Sequence, residues 1–218
     1  MCGRYVTKGE ADIEREWNLR RGGGNPFRAS FNAAPTQMLP AVRDDPERGR
    51  TLDLLRWGLI ASWSKDPSIG NRLINARAET VATKPAFRAA YKARRCLVPA
   101  RGYYEWKVTP AGKVPHFITT IDVSLMAFAG LWEHCKPVEG DPIESYTILT
   151  TEPNTFARAI HNRMPVIVEP EDYDEWLTSK DPARLLVPYS PDRLRAWPVS
   201  TRVNSPRNND AELVLPLA

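Results

Sequence analysis

The sequence predicts an α/β fold of the α+β type, in which a mainly antiparallel, curved and barrel-like β-sheet forms the core and helices lie at the periphery. Proline accounts for 20 of the 218 residues, nearly twice the usual share of about 5%, and this abundance disfavours long helices. Short runs rich in β-branched and aromatic residues recur along the chain, as is typical of strands. Helical patterns are few and short.

The composition indicates one globular domain over residues 1–218. Hydrophobic residues make up 42% of the chain and charged residues 26%, which is an ordinary globular mixture, and the length suffices for one large core. No internal repeat, low-complexity tract or long Ser/Gly linker interrupts the sequence. We therefore predict a single domain.

Seven runs carry the strand pattern, and a turn motif joins two of them. The predicted strands span residues 51–57, 96–98, 103–108, 116–121, 125–132, 146–150 and 165–168. The segment Thr-Pro-Ala-Gly at residues 109–112 has the residues of a tight turn, so it predicts a β-hairpin between its neighbours.

Three segments predict helices. A Thr-x-x-Glu capping box at residues 7–10 predicts a helix over residues 8–19 with a narrow buried face. A second helix begins near Pro85, a good first-turn residue, and ends at two solvated arginines at residues 94–95. The third, over residues 169–177, starts with acidic side chains that suit the positive end of the helix dipole.

Charge and hydropathy restrict the partners and the location. Thirty Lys and Arg residues against 26 Asp and Glu give a net charge of +4, which permits an anionic partner without requiring one. The strongest uncharged apolar stretch, residues 123–132, is far shorter than the roughly 20 residues that span a bilayer. The first residues lack the apolar segment of a secretory signal. We therefore expect a cytoplasmic protein in which Cys2, Cys96 and Cys135 are free thiols.

Cys2 is the most informative single residue. If Met1 is removed, Cys2 carries an amine and a thiol on adjacent carbons, and its α-amino pKa of about 7.7–8.0 leaves roughly a tenth of the amine neutral at pH 7. An aldehyde that meets this amine forms an imine, which the thiol then closes to a five-membered thiazolidine. The alternative is that Cys2 merely happens to follow the initiator.

Two further side chains are candidates for proton transfer. Glu105 lies among three aromatic residues, and an apolar setting raises a carboxyl pKa toward neutrality; alternatively, Glu105 faces water. His161 lies between a helical segment and a strand, where loops present side chains to ligands. The alternative for His161 is a structural or solvated histidine.

A third group of residues suits a nucleic acid. Asn75 supplies a carboxamide that can orient a carbonyl or hydroxyl, and Arg77 supplies a cation that can hold a phosphate. Trp63 adds a flat indole on which bases can stack, and an uncharged turn contains Asn32 and Pro35. Alternatively, all seven tryptophans belong to the core.

Other common chemistries lack their sequence signals. Histidines 116 and 134 with cysteines 96 and 135 match no zinc-site spacing. The chain has no dinucleotide glycine motif, no phosphate loop and no serine nucleophile elbow. We therefore expect neither a metal nor a nucleotide cofactor, no membrane partner, and a monomer.

An ordered set of motifs resembles one known family over nearly the whole chain. These motifs are Met1-Cys2-Gly3-Arg4-Tyr5, Asn32-Ala33-Ala34-Pro35, Trp57-Gly58-Leu59-Ile60, Asn75-Ala76-Arg77-Ala78-Glu79-Thr80, Arg95-Cys96-Leu97-Val98-Pro99, Gly102-Tyr103-Tyr104-Glu105-Trp106, Ala129-Gly130-Leu131-Trp132 and His161-Asn162-Arg163-Met164-Pro165. Each motif is weak alone, but the ordered set closely resembles the SOS response-associated peptidase (SRAP) family, also called abasic-site processing proteins. The resemblance implies a β-rich α/β domain.

The resemblance also implies a reaction and its residues. It implies that the protein binds single-stranded DNA containing abasic sites and cross-links to the ring-opened aldehyde through Cys2, as a thiazolidine. Asn75 would orient the reacting groups. Glu105 would assist ring opening and proton transfer, and His161 would aid imine chemistry and its reversal.

DNA contacts are implied by the same resemblance. Arg77 and Arg163 match phosphate-contacting arginines, and Arg4 is expected beside them. Three more positions fall where the family lines its DNA channel: Asn32, Pro35 and Trp63.

Two other hypotheses remain open from the sequence. One is a peptidase, acting on its own N-terminus or on other peptides, with Cys2 as nucleophile and His161 or Glu105 as base. The other is a noncovalent single-strand binding module in which Cys2 is incidental. That module would bind with steep salt dependence and without preference for the lesion.

Overall fold

A computed structural model of the protein describes residues 2–21, 27–138 and 140–217, and strands dominate them. The predicted α+β class, with a mainly antiparallel barrel-like sheet and peripheral helices, is confirmed. None of the helices in these ranges is long and apolar enough to cross a membrane.

The strands and helices have the following bounds. The strands are β1 (Tyr5–Thr7), β2 (Arg20–Arg21), β3 (Ser30–Ala33), β4 (Met38–Asp45), β5 (Gly49–Trp57), β6 (Asn75–Arg77), β7 (Arg95–Ala100), β8 (Gly102–Thr109), β9 (Gly112–Thr120), β10 (Met126–Cys135), β11 (Ile143–Thr151), β12 (Met164–Pro165), β13 (Ile167–Val168) and β14 (Leu194–Pro198). The helices are α1 (Glu10–Trp17), α2 (Arg88–Ala93) and α3 (Tyr173–Thr178), accompanied by short 3₁₀ segments.

Five strands close into a barrel. Its order is β5, β4, β7, β10 and β11, with antiparallel neighbours. The barrel closes where β11 pairs in parallel with β5, through Ser145 beside Arg56 and Tyr146 beside Trp57. A second, antiparallel sheet has the order β14, β9, β8, β1 and β3. The predicted hairpin at residues 109–112 joins β8 to β9.

The two faces of the barrel strands pack against different neighbours. On β7, Cys96 and Val98 belong to a core cluster that also contains Tyr103 of the second sheet. Leu97 points to the other face and joins a cluster with Trp176 of α3. This alternation follows from the two-residue period of a strand, and it leaves the helices on one face and the second sheet on the other. The cluster beneath the second sheet also contains Cys2.

The helices start and end differently from the prediction. The helix predicted over residues 8–19 begins only after Gly9, because Thr7, the predicted cap, is part of β1 and pairs with β3. The second helix begins at residue 88 rather than near Pro85. The prediction of a solvated Arg95 is wrong: Arg95 is buried in β7, and its guanidinium donates to carbonyls of α3 and of Tyr91.

Several strands were not predicted from the sequence. The longest is β4, in which Pro40 has no N–H to donate to a sheet and the last three residues are charged, so its sequence lacks a strand pattern. In the structure it pairs with β5 along its full length, from Met38 opposite Arg56 to Asp45 opposite Gly49. Tertiary pairing therefore outweighs the local preference of these residues.

Candidate active site

Cys2 lies directly before β1, at the edge of the core cluster beneath the second sheet. Its side chain is 0% exposed and belongs to the same cluster as Tyr5 and Tyr103. Burial raises the pKa of the thiol well above its ordinary value, and the negative charge of Glu105 raises it further. The sulfur therefore carries its proton at neutral pH.

Asn75 holds the start of the chain in place. Its strand β6 runs parallel to β11, with Asn75 beside Ile148, and this pairing brings the amide to a residue 73 positions away. The Asn75 Nδ2 donates to the Cys2 backbone oxygen at 2.9 Å. Its Oδ1 is buried and accepts no hydrogen bond from the residues that the structure describes, so a ligand donor at this point would satisfy it.

Glu105 is buried and does not face water. It projects from β8, and the residue is only 2% exposed. Its Oε2 lies 3.8 Å from Nε2 of His161. Burial raises the pKa of the Glu105 carboxyl, while the positive charges of the amino terminus and of His161 oppose the shift. Glu105 therefore holds a proton at higher pH than an ordinary glutamate, as a general acid requires.

His161 is oriented by its own loop. It follows the 3₁₀ segment Ala157–Ala159, and the backbone N–H of Arg163 donates to its Nδ1 at 3.1 Å. The other ring nitrogen, Nε2, faces Glu105. The ring lies between two clefts, one beside Arg163 and the other beside Glu105.

The first of these clefts is basic. Arg77, Arg158 and Arg163 line it together with His161. The guanidinium of Arg163 is engaged, because Nη1 and Nη2 donate to the two carboxylate oxygens of Glu79 at 2.6 and 2.9 Å. Arg77 and Arg158 are exposed. Sequence reasoning missed Arg158, because no motif distinguishes it from other surface arginines.

Arg4 and Asn32 anchor the C-terminal part of the chain. Arg4 Nη1 donates to Asn32 Oδ1 at 3.0 Å and to the Val203 carbonyl at 2.7 Å. The Asn32 Nδ2 donates to the carbonyls of Ser205 and Asn208 at 3.0 and 2.8 Å. Burial lowers the pKa of Arg4. In this structure neither side chain lines a cleft beside His161, and both tie the segment 203–208 to the second sheet.

Trp63 presents an indole to solvent from a fixed loop. It is 63% exposed, whereas Trp57 and Trp176 are fully buried. The loop is fixed on both sides of the indole, because Ser62 N–H donates to Glu133 Oε2 at 3.2 Å and Ser64 O accepts from Cys135 Sγ at 3.5 Å. An exposed ring on a rigid loop is a surface on which a base can stack.

Pro35, the remaining predicted DNA contact, is half-buried in the turn between β3 and β4. That turn meets the end of β5: Thr36 N–H donates to the Trp57 carbonyl at 2.8 Å. The cysteines and histidines weighed as zinc ligands do not converge, since no three metal-ligating side chains of the described residues form a cluster.

Comparisons with known proteins agree on one family. The sequence model of the SOS response associated peptidase (SRAP) family matches residues 1–206. The abasic site processing protein YoaM of Bacillus subtilis is 45% identical over 98% of this chain and 97% of its own. YoqW of the same organism, also named an abasic site processing protein, is 43% identical over 98% and 99%.

Solved structures show the same fold. A crystal structure of a protein from Bacteroides thetaiotaomicron covers 100% of both chains with a TM-score of 0.90 at 23% identity. A second, from Bordetella bronchiseptica, covers 91% of this chain and 100% of its own with a TM-score of 0.79 at 27% identity.

Proposed function

We propose, from the premise that the chain belongs to the SOS response associated peptidase family, that it processes abasic sites in single-stranded DNA by joining the lesion covalently to Cys2. The proposal is carried by the convergence of Asn75 and Glu105 on Cys2. Asn75 binds the Cys2 backbone at 2.9 Å, and Glu105 lies close enough for its charge to raise the pKa of the Cys2 thiol. The nucleophilic groups of Cys2 therefore lie beside the amide of Asn75 and the buried carboxyl of Glu105.

The reaction is the capture of an aldehyde by a terminal cysteine. Removal of Met1 leaves the Cys2 nitrogen as a primary amine, which adds to the aldehyde of the ring-opened sugar. The resulting carbinolamine loses water and becomes an imine. The Cys2 sulfur then bonds to the imine carbon, and the five-membered thiazolidine closes. One water leaves in total, and no oxidant or reductant is required.

The electrostatics support this order of steps. A thiol with a raised pKa is a poor first nucleophile, because the thiolate is the reactive form. The amine, with an ordinary pKa of about 7.7–8.0, is partly neutral at pH 7 and attacks first. Glu105, whose pKa is raised by burial, can supply the proton with which the carbinolamine oxygen leaves as water.

The surroundings support binding of a single strand. Arg77 and Arg158 are exposed in the cleft beside His161 and can neutralise phosphates without reading a sequence. Trp63 can stack on an unpaired base. A base-paired duplex would keep its bases out of reach of such a ring, so an unpaired strand fits this surface.

Peptidase chemistry at Cys2 is less well supported. A cysteine peptidase needs a thiolate, and its site lowers the thiol pKa, whereas this site raises it. Protein produced without methionine aminopeptidase separates the two possibilities by intact mass. If Met1 remains on that protein, self-cleavage is excluded.

A denaturing gel tests the proposed function. An oligonucleotide with one abasic site should give a protein-sized shift that survives denaturation, and an intact strand should give none. Cys2→Ala should abolish the shift, and Cys135→Ala, which changes another buried cysteine, should retain it. A shift that survives Cys2→Ala contradicts the thiazolidine, and equal, reversible binding of both strands supports a noncovalent module.

A further inference from the structure

The hydroxyl of Tyr103 is buried without a partner. The residue is 0% exposed, and its Oη forms no hydrogen bond with the residues that the structure describes. Other buried tyrosine hydroxyls are satisfied: Tyr5 and Tyr146 bond each other at 2.8 Å, and Tyr104 donates to the Phe31 carbonyl at 2.8 Å. A buried unpaired hydroxyl destabilises the fold, so its presence requires an explanation.

The position of Tyr103 supplies that explanation. Tyr103 and Glu105 are two residues apart on β8, so both side chains point to the same face of the second sheet. Cys2 belongs to the core cluster on that face. Burial raises the pKa of Tyr103 most, and the hydroxyl lies close enough to Cys2 and Glu105 for the ionised forms of these groups to raise it further.

The ring of Tyr103 is held rigidly, and its hydroxyl keeps its proton. The Phe128 ring meets it edge-on, with 5.9 Å between centroids and 82° between planes. Since burial keeps the phenol neutral, the group is a fixed donor beside the nucleophile. A fixed donor in a water-excluded site stabilises negative charge that develops in a transition state.

We propose that Tyr103 is a further catalytic residue, whose hydroxyl donates a hydrogen bond to the aldehyde oxygen while the Cys2 amine attacks. The inference rests on the proposed function and adds a group to it. The aldehyde oxygen would satisfy this hydroxyl, to which none of the described residues bonds.

The step balances without any additional reactant. The nitrogen–carbon bond forms as the carbonyl π pair moves to oxygen, where Tyr103 stabilises it, and a proton passes from nitrogen to that oxygen. Glu105 then gives a proton to the departing water. The sulfur–carbon bond forms as the imine π pair returns to nitrogen, and the thiol proton restores Glu105. Tyr103 keeps its own proton throughout.

The test compares Tyr103→Phe with Tyr104→Phe. Each variant loses one hydroxyl from neighbouring residues of the same strand, but only Tyr104 loses a hydrogen bond within the protein. Cross-linking rates are measured with an abasic oligonucleotide and, by intact mass, with glycolaldehyde, on protein whose Met1 has been removed. Melting temperatures are measured in parallel.

We expect opposite outcomes. Tyr103→Phe should slow both aldehyde reactions by about tenfold or more and leave the melting temperature unchanged or raised. Tyr104→Phe should lower the melting temperature and keep the rates. Unchanged rates in Tyr103→Phe, or a lower melting temperature that reveals a structural bond, overturn the inference.

The two aldehydes distinguish failure of the inference from failure of the proposed function. If the wild type reacts with glycolaldehyde but not with the abasic strand, the proposed function is wrong, and the glycolaldehyde rates still decide the role of Tyr103. If the wild type reacts with neither, both proposals are overturned.

Discussion

Two buried glutamates, Glu105 on β8 and Glu133 on β10, lie in different surroundings. They are 2% and 4% exposed. Glu133 forms an ion pair with the guanidinium of Arg94 and accepts from the Ser62 N–H at 3.2 Å. Glu105 faces His161 at 3.8 Å, and burial raises its pKa.

The difference lies in what surrounds each carboxylate. A full cation and a backbone donor stabilise the charge of Glu133, which makes it a structural anchor for the loop that carries Trp63. For Glu105, burial outweighs the opposing positive charges of the amino terminus and of His161, so the pKa of this carboxyl is raised. The two carboxyls are buried alike, so the partners around each carboxyl, and not burial alone, distinguish them.

The largest expected effect is the loss of cross-linking activity on substitution of Glu105. Glu105→Gln keeps the size of the side chain but removes its ability to release a proton, so the cross-linking rate with an abasic oligonucleotide should fall about a hundredfold or more. The rate is measured under single-turnover conditions at saturating DNA. Glu133→Gln is the matched control and should keep the rate within a few-fold. Equal losses in both variants would contradict the comparison.

The next largest expected effect is the loss of stability on substitution of Glu133. Glu133→Gln leaves the Arg94 cation without its partner and weakens the bond to Ser62, so the free energy of unfolding should fall by about 1–3 kcal/mol. This decrease is smaller than the usual cost of breaking a fully buried ion pair, because Arg94 is partly exposed. Urea unfolding measures it. A variant as stable as the wild type would show that this carboxylate does not anchor the loop.

The smallest effect concerns pH. Because the folded-state pKa of Glu105 is raised, the folded protein binds this proton more tightly than the unfolded chain does. The resulting stability is present at low pH and is lost as pH rises from the unfolded pKa through the raised folded one. Glu105→Gln has no such titration and does not lose this stability. The free energy of unfolding of the variant should therefore rise relative to that of the wild type as pH increases across this interval.

Urea unfolding at a series of pH values measures the growing difference. Glu133→Gln should show the opposite sign at neutral pH, where it is less stable than the wild type. A constant difference between Glu105→Gln and the wild type at every pH would mean that the pKa of Glu105 is the same in both states.

Much of the fold is predictable because it depends on local chemistry. A short apolar run such as Cys96-Leu97-Val98 predicts a buried strand, and Thr-Pro-Ala-Gly predicts the turn between β8 and β9. The failures have tertiary causes. Strand β4 has no strand pattern of its own and forms through its pairing with β5. The sequence predicts a solvated Arg95, but its guanidinium donates to a carbonyl of α3.

The candidate site divides in the same way. The chemistry of Cys2 as a terminal amine and thiol follows from residue types and position alone, and the ordered motifs from Cys2 to Arg163 are enough to identify the family. The roles of Arg4 and Asn32 do not follow from them. Their hydrogen bonds reach residues 203–208, and no pattern in the sequence shows that the C-terminal segment returns to the second sheet.

The sequence by itself determined the class of fold and the family, and it supplied the candidate residues for the proposed reaction, because these depend on side-chain chemistry and short-range spacing. Only the tertiary structure decided which polar groups meet. The pairing of β6 with β11 brings Asn75 to Cys2, and the packing of the second sheet on the barrel buries Glu105 and Tyr103. The pKa of Glu105 and the unpaired hydroxyl of Tyr103 both result from burial between segments that are distant in the sequence. They therefore follow only once the fold has brought those segments together.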